Sequence, residues 1–159
     1  MQVLRFLMLL SMVIWIGGIV FFAFVVAPAV FSVLPTHDLA GKVVGRSLTA
    51  LHWIGLISGL VYLICSLLYA RMASGFVHPF AVRNVLIVLM LVLTIISLFA
   101  ITPKMNALKA DMGVIDDVPK TDSRRVEFNQ LHVWSTRLEG GVLLMGLVVV
   151  WLTGKTLAS

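Results

Sequence analysis

Charge is what this sequence has least of. Across 159 residues it carries twelve Lys and Arg and seven Asp and Glu, together 12% of the chain, while 60% is hydrophobic and the mean hydropathy is +1.08. So few ionisable groups cannot clothe a water-soluble domain of this size. The composition excludes an ordinary soluble globular protein and fits one small polytopic membrane domain, residues 1–159. Cysteine is nearly absent as well. A lone Cys65, between Ile64 and Ser66, excludes an intramolecular disulfide and reads as a packing thiol. The HExxH, CxxC, phosphate-loop and nucleophile motifs are all missing, which removes support for a named hydrolase or for ATP-driven chemistry, and an enzyme is the less favoured class. The formal charge of +5 reads as topology and contact with anionic headgroups. With no basic patch beside exposed aromatics on a soluble surface, nucleic-acid binding is excluded.

What is abundant is apolar sequence. Phe6 to Val26 holds 21 residues without a charge, enough to span a hydrocarbon core about 30 Å thick. Ala27-Pro28-Ala29 imitates a leader-peptidase site, but the run exceeds the roughly 7–15 residues of a secretory core, so it reads as a retained helix. Pro28 is expected to kink or end it. Leu48 to Tyr69 and Val85 to Ile101 are two further hydrophobic runs, and Pro35, Thr36 and Asp38 offer turn and cap chemistry before the second. Thr94 and Ser97 in the third are expected to bond back to their own helix, and Asn84 can turn inward at the membrane edge. Pro103 to Glu127 is the longest polar stretch. Met105, Leu108, Met112 and Ile115 recur there near helical spacing, which predicts a short amphipathic helix on the bilayer surface, its methionines packing more readily than binding soft copper(I). The fold class expected is all-α, an antiparallel four-helix transmembrane bundle with spans near Leu4–Phe31, Leu39–Met72, Pro79–Thr102 and Ser123–Thr153. Seven Lys and Arg on the loop side against four on the side of the termini favour cytoplasmic loops, whereas Arg5 before the first span argues the opposite, leaving orientation open.

The fourth segment, Leu131 to Leu152, is the chemical centre of gravity. Its uninterrupted apolar part, Val142 to Leu152, is too short to span alone, so the polar half must enter the bilayer too. At about 100° per residue, His132, Ser135, Thr136 and Glu139 share one arc, with Arg137 on the far side. Intramembrane ionisable groups cost about 2.5–3.5 kcal/mol on insertion scales and usually face a bundle interior or a partner. Glu139 is therefore expected to face inward. His52, about one turn inside the second span, and His132 both follow a Leu, and they are expected to converge at the loop-side mouth of the bundle. Gly17 and Gly18 mid-span in the first helix, and Gly55 with Gly59 in the second, mark places where a neighbouring backbone or a flat ligand can come close.

Three stretches carry a resemblance: WIGGIVFFAFVVAPAVF from Trp15, AGKVVGRSLTALHWIGL from Ala40 and FNQLHVWSTRLEGGVLLMGL from Phe128. Together they resemble the small four-helix membrane family typified by transmembrane protein 205, largely a domain of unknown function. More distantly, Trp15 with Gly17, Gly18 and Phe21 is similar to the first-helix pattern of copper-resistance protein D and of the HemJ-type protoporphyrinogen oxidases. Those likenesses imply copper passage and haem-supported porphyrin oxidation respectively. The haem-type relatives use a first-helix histidine that this chain lacks, so His52 and His132 would have to serve as axial ligands.

Three functional readings follow. In the first, a non-enzymatic membrane protein binds or passes a cation or metal such as copper through an interior lined by Glu139, His132 and Ser135, with His132 and Glu139 as ligands. In the second, His52 and His132 hold haem or porphyrin in a membrane oxidoreductase. In the third, Glu139 glues a structural bundle or a homo-oligomer. The expected partners are the lipid bilayer and an unidentified small molecule or ion, and the expected location is a bacterial inner (cytoplasmic) membrane.

Overall fold

The computed structural model describes residues 1–158. Four helices in it are long and apolar enough to cross a membrane: α1, Gln2–Val33; α2, His37–Ser74; α3, Val82–Met112; and α4, Ser123–Ala158. No strand occurs among the described residues, so the fold is the all-α bundle expected. Between 22% and 44% of each span's most apolar window is buried inside the protein, and side chains such as Val13, Phe24, Ile57 and Leu144 point outward. An outer surface of that character is stable against acyl chains and not against water, and the chain is an integral membrane protein.

Local chemistry sets the helix ends. The Thr36 hydroxyl accepts the Leu39 N–H at 3.2 Å to start α2. Gly75 closes that helix at φ 75°, a left-handed conformation that glycine adopts without steric cost. Asp122 opens α4 by accepting the Arg124 N–H at 2.9 Å.

The two prolines act alike. Pro28, expected to kink or end α1, does not end it, and the stretch after Pro103 does not form the separate helix on the bilayer that was expected. In α1 a π-helical turn, Phe22–Val26, passes directly into Ala27–Val33; in α3 a π turn, Ser97–Ile101, passes into Thr102–Met112. Each proline lies two residues beyond its π turn. A proline inside a helix has no N–H to donate and presses on the carbonyl four residues back, here Phe24 and Phe99. The wider turn gives that carbonyl room, so the chain stays helical where it would otherwise break. The amphipathic stretch is thus a projection of α3 that packs on α4, with Met112 buried and Met105 and Leu108 half-buried, as methionines in a packing role would be.

The helices stand in a square. α1 packs on α2 and α4, and α3 packs on the same two, so α2 and α4 run parallel and face each other across a diagonal. Trp15, 1% exposed, is the largest side chain in the core, and α2 makes room for it with Gly55 and Gly59. A methyl group on Gly59 would come within 2.7 Å of the indole. Gly18 also meets a close neighbour, Leu51, but Gly17 faces outward with nothing within 4 Å of a Cβ, so it lines no interior.

Candidate functional site

His52 lies on the buried face of α2, with Gly55, Gly59 and Tyr62 following at offsets of three, seven and ten residues. Its Nε2 is 3.0 Å from Oε2 of Glu139 on α4, with the histidine side chain 2% and the glutamate side chain 18% exposed. The pair therefore bridges the bundle diagonal. Glu139 faces inward onto the second helix, where the polar arc on α4 placed it.

The structure does not bring His132 to His52. Both helices begin on the loop side, α2 at His37 and α4 at Ser123. At about 1.5 Å per residue, His52 is about 22 Å along its helix, Glu139 about 24 Å and His132 only about 14 Å. Depth thus pairs His52 with the glutamate. His132 is exposed, its carbonyl accepting the Thr136 hydroxyl at 3.0 Å. His132 and Glu139, seven residues apart, are separated by about 10 Å of helix axis, too far to share one ion. Of the remaining arc, Ser135 is buried at 7% exposure and Thr136 is exposed. Arg137 stacks on Trp134 on the outer side, its guanidinium carbon 5.5 Å from the ring centroid. Gly55 lies one turn beyond His52, where its missing side chain seats Trp15 and leaves no gap for a flat ligand.

Ser97 joins this layer, against the expectation that it bonds to its own helix. Thr94 does so, donating to the Met90 carbonyl at 2.9 Å, whereas the Ser97 hydroxyl, in a residue 1% exposed, has no hydrogen-bond partner. The ring contact of Trp53 with Phe99 and the approach of Leu93 to Gly141 put Ser97 within about one helical turn of the depth of His52 and Glu139. The second unpaired atom of the layer is Nδ1 of His52. An imidazole has two nitrogens, and whichever way the proton sits with Glu139, Nδ1 is left as a bare acceptor or an unsatisfied donor. Both π turns lie at this end of the bundle, the one in α3 beginning at Ser97 itself.

Deeper along α2, further polar contacts cross the core. The hydroxyls of Tyr62 and Thr153 meet at 2.5 Å with both residues 0% exposed, and Ser66 donates to Oδ1 of Asn84 at 2.8 Å. The inward turn of Asn84 was readable from its position; the Tyr62–Thr153 pair was not, because nothing in a single helix's pattern names a diagonal partner.

A domain of unknown function (DUF4149) matches residues 10–113, more than half of the chain. The chain belongs to the DUF4149 family. The matched region takes in α1 from Leu10 and the whole of α2 and α3, with Trp15, His52 and Ser97, and stops before α4 and Glu139. No curated protein and no solved structure matches this DUF4149 chain, so the likenesses to transmembrane protein 205, copper-resistance protein D and the HemJ-type oxidases gain no support from named relatives.

Proposed function

We propose that this DUF4149 protein takes a cation into its bundle interior, and that the cation is a proton held between His52 and Glu139. One observation carries this reading: a buried imidazole lies 3.0 Å from a carboxylate inside the membrane-spanning bundle, with its other nitrogen unpaired. A carboxylate and an imidazole at hydrogen-bond distance share one proton and accept a second, and low polarity ties each group's charge to the other's. Zinc asks for three or four protein ligands, and the described residues hold no group of three His, Cys, Asp or Glu that could supply them. A haem clamp would need Nε2 of His52, which Glu139 occupies, and a facing His132, which is exposed. A proton needs only the two atoms that meet. The Ser97 hydroxyl at the same level and the Tyr62–Thr153 pair about 15 Å further along α2 are the groups through which a proton would move on.

The test uses full-length protein with labelled histidine side chains, reconstituted in lipid vesicles. Among His37, His52, His78 and His132, one resonance should respond to Glu139→Gln, and that resonance should vanish in His52→Gln. Vesicles with an internal pH dye and an imposed pH gradient should equilibrate faster with the native protein than with either variant. If the His52 signals keep one protonation state between about pH 4 and pH 9, the proposal fails. Equal equilibration rates for native protein and both variants would reduce the pair to a diagonal strut.

A further inference from the structure

We infer that the face carrying the two termini binds the phosphodiester headgroups of anionic bilayer lipids between Arg71 and Arg83. The charges sort by side. Asp38, Asp111, Asp116, Asp117, Asp122 and Glu127 all lie at the loop side, and the seventh acid, Glu139, is inside the bundle. On the loop side three of the seven bases are paired with acids: Lys42 on Asp38 at 2.7 Å, Lys104 on Glu127 at 2.6 Å and Arg124 on Asp122 at 2.8 Å. The opposite face has Arg5, Arg71, Arg83 and Lys155 and not one Asp or Glu side chain.

Two of those four cations are engaged by aromatic rings. Arg5 donates to the Tyr69 hydroxyl at 2.7 Å, and the Lys155 ammonium sits 3.9 Å from the centroid of Trp151. Arg71 at the end of α2 is exposed and Arg83 at the start of α3 half-buried, and neither has an acidic partner among the described residues. The accessible N–H groups of a guanidinium without a carboxylate partner are a donor set for an anionic oxygen.

The loop joining these arginines identifies the source of that oxygen. Phe76 is 74% and Phe80 88% exposed. In water two such rings are costly, but at a headgroup boundary they sink into the acyl region and bring Arg71 and Arg83 to the level of the phosphates. Free phosphate would use the arginines and leave both rings in water. A lipid uses the arginines and the rings together.

The test is native mass spectrometry of full-length protein released from nanodiscs of equal phosphatidylglycerol and phosphatidylcholine content. Native protein should retain phosphatidylglycerol preferentially. A basic residue near an anionic surface strengthens binding roughly fivefold, so Arg71→Gln with Arg83→Gln should cut the preference by roughly 25-fold. Lys42→Gln with Arg46→Gln on the loop side should leave it intact. No preference in the native protein, or an equal loss from the loop-side pair, overturns the inference, and so does displacement of the lipid by millimolar inorganic phosphate. Should the arginine pair fail to fold, the native protein still decides: its melting temperature should rise with phosphatidylglycerol at low salt and lose that rise near 1 M salt, where screening reaches about 3 Å. A rise that persists at high salt refutes an arginine–phosphate contact.

Discussion

Gly55→Ala is the sharpest single test of how the interior is built. The added methyl would lie 2.8 Å from Cε2 and 3.0 Å from Cδ1 of Trp15, with the indole nitrogen nearer still. The indole cannot step aside. It is 1% exposed, and its far edge already rests on the Gly59 position, where a Cβ would be 2.7 Å away. Relief therefore needs α1 and α2 to separate, and overpacking of this kind costs about 1–3 kcal/mol. Replacing glycine by alanine inside a helix returns up to about 1 kcal/mol, so the net expectation is a loss of about 1–2 kcal/mol. Gly17→Ala is the control: it has open space around its Cβ and should be neutral or slightly stabilising. Reversible unfolding in mixed detergent micelles measures both, and a cycle with Trp15→Leu should show a coupling of at least about 1 kcal/mol with Gly55→Ala, since removing the ring removes the clash. Equal stability of Gly55→Ala and Gly17→Ala, or additivity with Trp15→Leu, would refute the packing of Trp15 against this glycine pair.

Other outcomes follow from single contacts. Glu139→Ala strips from a 2% exposed histidine its one hydrogen-bond partner among the described residues and should cost about 1–3 kcal/mol in the same unfolding assay, whereas Glu139→Gln, which keeps a hydrogen-bonding oxygen, should cost less. Tyr62→Phe leaves the buried Thr153 hydroxyl unpaired, so it should destabilise by about 1–2 kcal/mol, and adding Thr153→Val should recover part of that loss; strict additivity of the two would contradict a shared bond. The side-chain and backbone N–H groups of Arg124 hold the Asp122 carboxyl at about 2, below its ordinary 3.8, so the group binds its proton less readily folded than unfolded. Its support for the start of α4 is therefore complete above pH 3.8 and fades as pH falls toward 2, and a carbon-detected titration of Asp122 with a midpoint at or above 3.8 would disprove the cap.

Much of this architecture was legible in one dimension. The four spans follow from the length of apolar runs against the thickness of a bilayer, the ends of α2 from Thr36 and Gly75, and the inward aim of Glu139 from the arc it shares with Ser135. Each is a property of one helix and its solvent. Sequence alone left open whether Pro28 kinks or ends α1 and expected a separate helix after Pro103, because a proline announces a missing donor but not how the turn before it will adjust. It also paired His52 with His132, since both follow a leucine about a turn into a helix. Only the tertiary structure sets how far each helix projects before the bundle begins, and His52 stands fifteen residues into α2 whereas His132 stands nine into α4. That offset puts Glu139 opposite His52 and leaves His132 outside. The Tyr62–Thr153 contact and the unpaired Ser97 hydroxyl belong to the same class. They arise where different helices meet, and a helical period of 3.6 residues says which face is buried but not which residue stands across from it.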